Sequence, residues 1–271
     1  MPSIANHQSA TSTKLLMVGN SGSGKTGGLV SLAAEGYNLR ILDLDDGLPI
    51  VRHYATNSAS PYLKKNPSMD ISFITLGEEL DPLGKRLFPT KATVWQAVQS
   101  SLTNWSDGER QLGHVASWGP QDVLVVDSLT RLSDAAMDFV LQMNGHLGQR
   151  PSQPEWGQAQ GLIESFIELV TSKAIKCNVI VNAHLVTIGD EATGTMQGYP
   201  ATLGKALSPK IGRYFNSILL AKSSGQGANA KRRIITNTSG IIELKNAAPL
   251  NVAPEYDISD GLALFFKAVR S

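Results

Sequence analysis

Residues Gly19-Asn20-Ser21-Gly22-Ser23-Gly24-Lys25-Thr26 bring together three glycines, three hydroxyls and a lysine in the spacing G-x-x-x-x-G-K-[ST]. The chemistry this spacing suits is phosphate binding. Glycines let successive backbone N–H groups curl around an anion, and a helix N-terminus adds partial positive charge. Lys25 supplies a point charge for the outer phosphates of a nucleotide, and Thr26 supplies a hydroxyl for Mg²⁺, which accepts few protein oxygens and keeps several waters. Gly27 continues the loop into the helix that must follow.

Two acids are placed to complete such a site. "VLVVDS" ends a continuous apolar run on Asp127, where a carboxylate can hold the water shell of Mg²⁺. Asp127 or Ser128 can equally cap a helix from 129 onward. "ILDLDDG" ends another strand on Asp43, Asp45 and Asp46. Alternation puts Asp43 and Asp45 on one side of the strand, Asp43 more internal and Asp45 nearer the sheet edge, so Asp45 is the candidate base for activating water. A solvated loop acid is the competing reading. His184, closing "VIVNAHL", stands where a polar side chain would sense the terminal phosphate; a core histidine bonded to backbone is the alternative.

These residues need strands to hold them. "KLLMVG" (14–19), "YNLRILDLDD" (37–46), "DISFITLG" (70–77), "QDVLVVDS" (121–128) and "CNVIVNAHL" (177–185) read as buried strands. Helices are expected over 25–34, 91–105, 129–143 and 158–176, with loops at 57–68 and 144–157. Gly27 and Gly28 weaken the first helix by propensity and suit close packing against the sheet. Residues 186–204, rich in Gly and Thr, read as a long aperiodic connection, and connections of that length tend to be functional. A short helix at 208–216, three antiparallel strands within 217–246 and a closing helix at 260–270 complete the chain. The alternation of strands and helices predicts an α/β domain, a mainly parallel sheet flanked by helices with an antiparallel C-terminal extension. The polar stretch 1–13 reads as a flexible arm ahead of a single domain over 14–271.

Of 271 residues, 42% are hydrophobic, enough for one large core, and the formal net charge is +1. Charge is uneven: residues 201–271 carry ten Lys/Arg and four acids, a net of +6, and residues 1–200 a net of −5. The basic third suits a polyanion, although solvated surface lysines account for it as well. One cysteine, Cys177, excludes a disulfide framework and fits a reducing, cytoplasmic setting, as a core thiol. No apolar run reaches the length of a membrane span.

The ordered set "VGNSGSGKT", "ILDLDDG", "VLVVDSLT", "NVIVNAHL" and "YPATLGKALSPKIGRYFNSIL" resembles the RecA-like P-loop ATPase core, and more closely the phage-encoded RecA-like AAA-type ATPases that include Sak-type single-strand annealing proteins. The resemblance spans residues 14–222. It implies ATP and Mg²⁺ as ligands, with Lys25 and Thr26 on phosphate and metal and Asp127 as the Walker B acid. Asp45 falls where relatives carry a glutamate; aspartate is one methylene shorter, which favours slow hydrolysis or completion by a neighbouring subunit. His184 falls at a sensor position that relatives fill with glutamine. Loop 186–204 falls where relatives contact DNA, and 144–157 lies near their other such loop.

The resemblance implies an ATP-hydrolysing protein that assembles head to tail and binds single-stranded DNA in recombination or annealing, beside a phage or host single-strand-binding protein. Phosphate contacts would come from Lys205, Lys210, Arg232 and Arg233, and a base would stack on Tyr199. Lys222, Arg232 and Arg233 are candidates for a cation delivered to a neighbour's site, with alternation sending Arg232 and Arg233 to opposite faces. They also read as edge-strand charges that discourage aggregation. A nucleotide-switched assembly or packaging ATPase with a protein partner is the alternative.

Overall fold

The computed structural model of the chain describes residues 11–78, 91–189, 194–225 and 230–271. Its strands are β1 (Lys14–Val18), β2 (Asn38–Asp43), β3 (Ile71–Thr75), β4 (Trp105–Ser106), β5 (Gln111–Gly113), β6 (Asp122–Asp127), β7 (Asn178–Ala183), β8 (Leu185–Gly189), β9 (Met196–Pro200), β10 (Ser217–Ser224), β11 (Lys231–Ile235) and β12 (Glu255–Asp257). Its α-helices are α1 (Lys25–Gly28), α2 (Val30–Ala34), α3 (Pro49–Thr56), α4 (Pro61–Lys65), α5 (Val94–Thr103), α6 (Leu129–Met143), α7 (Gln153–Thr171), α8 (Gly204–Ile211) and α9 (Gly261–Ala268).

Eight strands form the main sheet in the order β12-β11-β10-β1-β7-β6-β2-β3. Neighbours from β10 through β3 run parallel, and β11 is antiparallel to both β10 and β12. This is the expected mainly parallel sheet with an antiparallel C-terminal extension. The strands β1, β6 and β7 are buried nearly end to end because both sheet faces are covered. Leu16, Val18, Val126 and Val181 face a core closed by Trp95, Phe166 and other side chains of α5, α6 and α7. Leu15, Met17, Val125 and Ile180 face the opposite core, closed by Leu29, Leu32, Phe265 and Phe266. Each such side chain contributes about 1.5–3 kcal/mol by leaving water. Cys177 is a buried core thiol, pushed up to about 11 by burial.

Several expectations need correction. Residues 186–204 are not an aperiodic connection: β8 and β9 pair as an antiparallel hairpin, with 190–193 outside the described residues. Most of the hairpin's side chains are exposed or half-buried, so no apolar alternation marks it. The third antiparallel strand is Glu255–Asp257 and not 240–246, where only isolated bridges occur. Helix α7 starts five residues earlier than expected because Ser152 and Glu155 form a capping box. Residues 49–65, read partly as loop, hold α3 and α4, each opened by a proline in its first turn. Gly27 and Gly28 pack closely, but against Ile50 and Tyr54 of α3 and against Ile258, not against the sheet. Thr13 belongs to the domain, since its N–H donates to Asn178 Oδ1 and its carbonyl accepts from Val179. Residues 1–10 of the expected arm lie outside the described residues.

Candidate nucleotide site

The phosphate loop runs from the C-terminal end of β1 into α1, at the sheet edge where β6, β2 and β7 also end. Gly19 is required by close approach: a Cβ there would sit 2.4 Å from the Ala221 carbonyl oxygen and 2.8 Å from Ser23 Oγ. Gly24 is required by conformation, with φ at 98° immediately before the first helical residue. Lys25 is buried, and its Nζ donates to the carbonyls of Gly19 at 2.8 Å and Asn20 at 3.1 Å, folding the side chain back across the loop. Burial pulls the Lys25 ammonium below its ordinary value, and the Asp127 and Asp45 carboxylates oppose that shift.

Asp127 lies at the end of β6, 2% exposed. Thr26 Oγ1 donates to its Oδ2 at 2.6 Å, joining the loop to the central strand. Burial raises the Asp127 carboxyl above its ordinary range; the bond from Thr26 and the nearby Asn182 amide and Lys25 ammonium counteract this, while Asp45 adds to it. A divalent cation would hold such a carboxylate ionised. Ser23 Oγ is buried in the same loop without a hydrogen-bond partner. One hydroxyl, one buried acid, a lysine and an unsatisfied loop hydroxyl fit a magnesium nucleotide. Thr26 and Asp127 would hold the metal, and Lys25 with the Gly19–Gly27 backbone would hold the phosphates.

Asp43 and Asp45 differ in depth: β2 ends at Asp43, and Asp45 lies beyond the strand, where period-two alternation no longer sets its side. Asp43 is fully buried, accepts from Gly47 N at 2.9 Å and Thr75 Oγ1 at 3.3 Å, and serves the turn that follows β2. Asp45 faces the crevice. Its carboxylate lies 3.5 Å from His184 Nε2 and 3.8 Å from Arg131 Nε. His184 is therefore half-buried at the site rather than sealed in the core. Its backbone N–H donates to Thr130 Oγ1 at 3.2 Å, and Thr130 Oγ1 in turn donates to the Ala201 carbonyl at 3.2 Å. Ala201 N–H donates back to the His184 carbonyl at 2.7 Å. His184 and Ala201 flank the β8–β9 hairpin, so its base is bonded to the residue that touches Asp45.

The crevice over these groups has a volume of about 600 Å³. Besides the loop and the acids, Tyr54, Tyr62, Arg131, Arg232 and Ile258 line it. The Tyr54 and Tyr62 rings meet edge to face at 5.2 Å, forming an apolar wall. Burial pushes the Tyr62 hydroxyl up to about 12. Neither tyrosine nor Arg131 was visible as a site residue in the sequence, because only tertiary packing brings α3, α4 and the first turn of α6 to the loop.

The remaining candidates lie apart. Tyr199 sits on β9 opposite Val186, against a second cavity of about 340 Å³. Lys205 and Lys210 are exposed on α8. Lys222 and Arg233 face each other in register on β10 and β11, with Arg233 hydrogen-bonded to Glu255. Arg232 reaches its own subunit's phosphate loop, with Nε donating to the Gly22 carbonyl at 2.9 Å.

A family model described as an AAA domain matches residues 11–246, and the chain belongs to that family. It is a P-loop ATPase domain of the AAA type. No curated protein matches it significantly. Similar solved structures include the flagellar accessory protein FlaH of Methanocaldococcus jannaschii, 14% identical, covering 90% of this chain and 83% of FlaH with a TM-score of 0.44. The KaiC-like protein PH0186 of Pyrococcus horikoshii is 12% identical, over 82% of this chain and 77% of its own, with a TM-score of 0.39. An ATPase from the type III secretion system of pathogenic bacteria is 13% identical, over 78% of this chain and 52% of its own, with a TM-score of 0.39.

Proposed function

We propose that this chain hydrolyses ATP and binds single-stranded DNA in recombination or strand annealing, as the phage-encoded RecA-like proteins it resembles do. Lys25 and the loop backbone hold the triphosphate. Mg²⁺ on Thr26 and Asp127 neutralises phosphate charge when bound. Asp45 accepts the proton of a water whose oxygen bonds to the terminal phosphorus as the bond to the ADP oxygen breaks. His184 and Arg131 orient the Asp45 carboxylate. Head-to-tail copies of the chain, in a cytoplasmic setting, would place Lys222 or Arg233 of one subunit near the next.

The observation that carries this reading is the bonded path from Asp45 through His184 to the base of the β8–β9 hairpin. A change at the nucleotide moves a device that projects Tyr199 and precedes the exposed Lys205 and Lys210. Among the described residues no helix is long and apolar enough to cross a membrane. DNA-stimulated ATPase activity tests the proposal: single-stranded DNA should raise turnover, and turnover indifferent to DNA defeats it. The hairpin also exposes Val186 and Met196, 36% and 51% accessible. These exposed apolar side chains favour a second reading, a nucleotide-switched assembly ATPase that grips a protein partner. In that case turnover would respond to the partner and not to single-stranded DNA.

A further inference from the structure

Arg232 and Arg233 are adjacent on β11, yet their surroundings differ. Arg233 is hydrogen-bonded to Glu255 and stands in register with Asp257. Among the described residues no carboxylate lies within ion-pair distance of Arg232; its side chain donates to the Gly22 carbonyl, in the middle of the phosphate loop. The side chain crosses the loop at Gly24, where a Cβ would come within 3.0 Å of Arg232 Cδ and 3.0 Å of Ile258 Cγ1. The loop thus lacks a side chain at the point where the arginine passes.

We infer that Arg232 is a phosphate-binding residue for its own subunit's nucleotide, not a cation supplied to a neighbour. The inference rests on the nucleotide-site reading above. With Nε committed to Gly22, the guanidinium keeps its two terminal nitrogens, a planar fork of N–H donors suited to phosphate oxygens. Lys25 approaches the loop from its buried side and Arg232 from its exposed side, so the polyphosphate is held between two cations of one chain. Among the described residues that line the crevice, the other basic side chains are Arg131 and His184, both beside Asp45. A subunit built this way binds nucleotide before it assembles.

The test uses the full chain, at a concentration where light scattering shows single subunits. ATP and ADP affinities are measured for the wild type, Arg232→Ala, Arg232→Lys, Lys25→Ala and Lys231→Ala, the last an exposed change on the same strand. Arg232→Ala should weaken binding about 10- to 100-fold, the range for a charge-assisted hydrogen bond. Arg232→Lys should recover part of it, and Lys231→Ala should match the wild type. Nucleotide-free thermal midpoints of the Arg232 variants should stay near the wild-type value. ATPase assays on mixtures of Arg232→Ala and Lys25→Ala subunits should show no rescue, because each subunit's own site is damaged. Unchanged ATP affinity in Arg232→Ala beside a weakened Lys25→Ala overturns the inference and leaves the phosphate loop standing. Rescue in the mixture overturns it too, by showing action on a neighbour. Full ATP affinity in Lys25→Ala removes the nucleotide-site reading itself, and the inference with it.

Discussion

The Nε2 atom of His184 stands 3.5 Å from the Oδ2 atom of Asp45, and the same residue's peptide is bonded to Ala201 across the base of the β8–β9 hairpin. A side chain that touches the candidate base and a backbone that anchors a projecting hairpin are thus one residue. Rotation of the Asp45 carboxylate toward a water cannot leave His184 unaffected.

Removing the carboxylate's basicity isolates its role. Asp45→Asn keeps the size of the side chain but cannot accept a proton. Turnover should fall about 100-fold or more while ATP affinity stays near wild type. Steady-state ATPase rates beside equilibrium binding check this; unchanged turnover would move the role to another group.

Lys25→Ala should abolish hydrolysis and weaken ATP binding, because the loop loses its buried point charge. In the wild type, ATP with Mg²⁺ should stabilise the fold by mass action, about 2.7 kcal/mol at a hundredfold excess over Kd. Thermal midpoints with and without nucleotide measure both effects. A wild type without any ATP-dependent rise would contradict the phosphate-loop assignment.

Lys205→Ala combined with Lys210→Ala removes two exposed charges from α8. If single-stranded DNA runs past the hairpin, affinity should drop and the slope of log K against log salt should flatten by about 0.7 for each phosphate that the variant no longer neutralises. Fluorescence anisotropy over a salt series gives the slope. An unaltered slope would place DNA elsewhere or nowhere.

Asp70 provides a stability prediction away from the site. It accepts two bonds from Arg40, both 2.7 Å, and one from Arg110 at 2.7 Å. These hold its carboxyl at about 2. A folded value below the unfolded one, about 3.9, means stability that is complete above pH 4 and lost as pH falls through 2. Asp70 is about a third exposed, so solvent reduces the gain, and Asp70→Asn should cost about 1–2 kcal/mol at pH 7. The gap between the two proteins' thermal midpoints should narrow from pH 4 to pH 2.

The central strands and the loop were legible in the sequence because their signals are local. "KLLMV" and "DVLVVD" are apolar without interruption, as strands covered on both faces must be, and Gly19 to Thr26 carry their chemistry in fixed spacing. The greater depth of Asp43 was legible from its place two residues further back along the strand. Arg232 at its own loop was not legible, because strand order alone brings β11 to that place and no local pattern encodes it. The hairpin at 185–200 escaped notice because a strand pair without a buried face has no alternating pattern to read. The capping box at Ser152 was legible but obscured by the prolines and glycines around it.

Gly22 and Arg232 are 210 positions apart, and Ile258, which packs over Gly24 and Gly28, comes later still. The loop that begins the domain is therefore walled by residues near its end. During synthesis the phosphate loop leaves the ribosome early, but the wall of its crevice arrives only with β11 and the turn into α9. Nascent chains stopped short of residue 258 should be poor nucleotide binders, so ATP becomes a ligand only once β11 and the turn into α9 have been made.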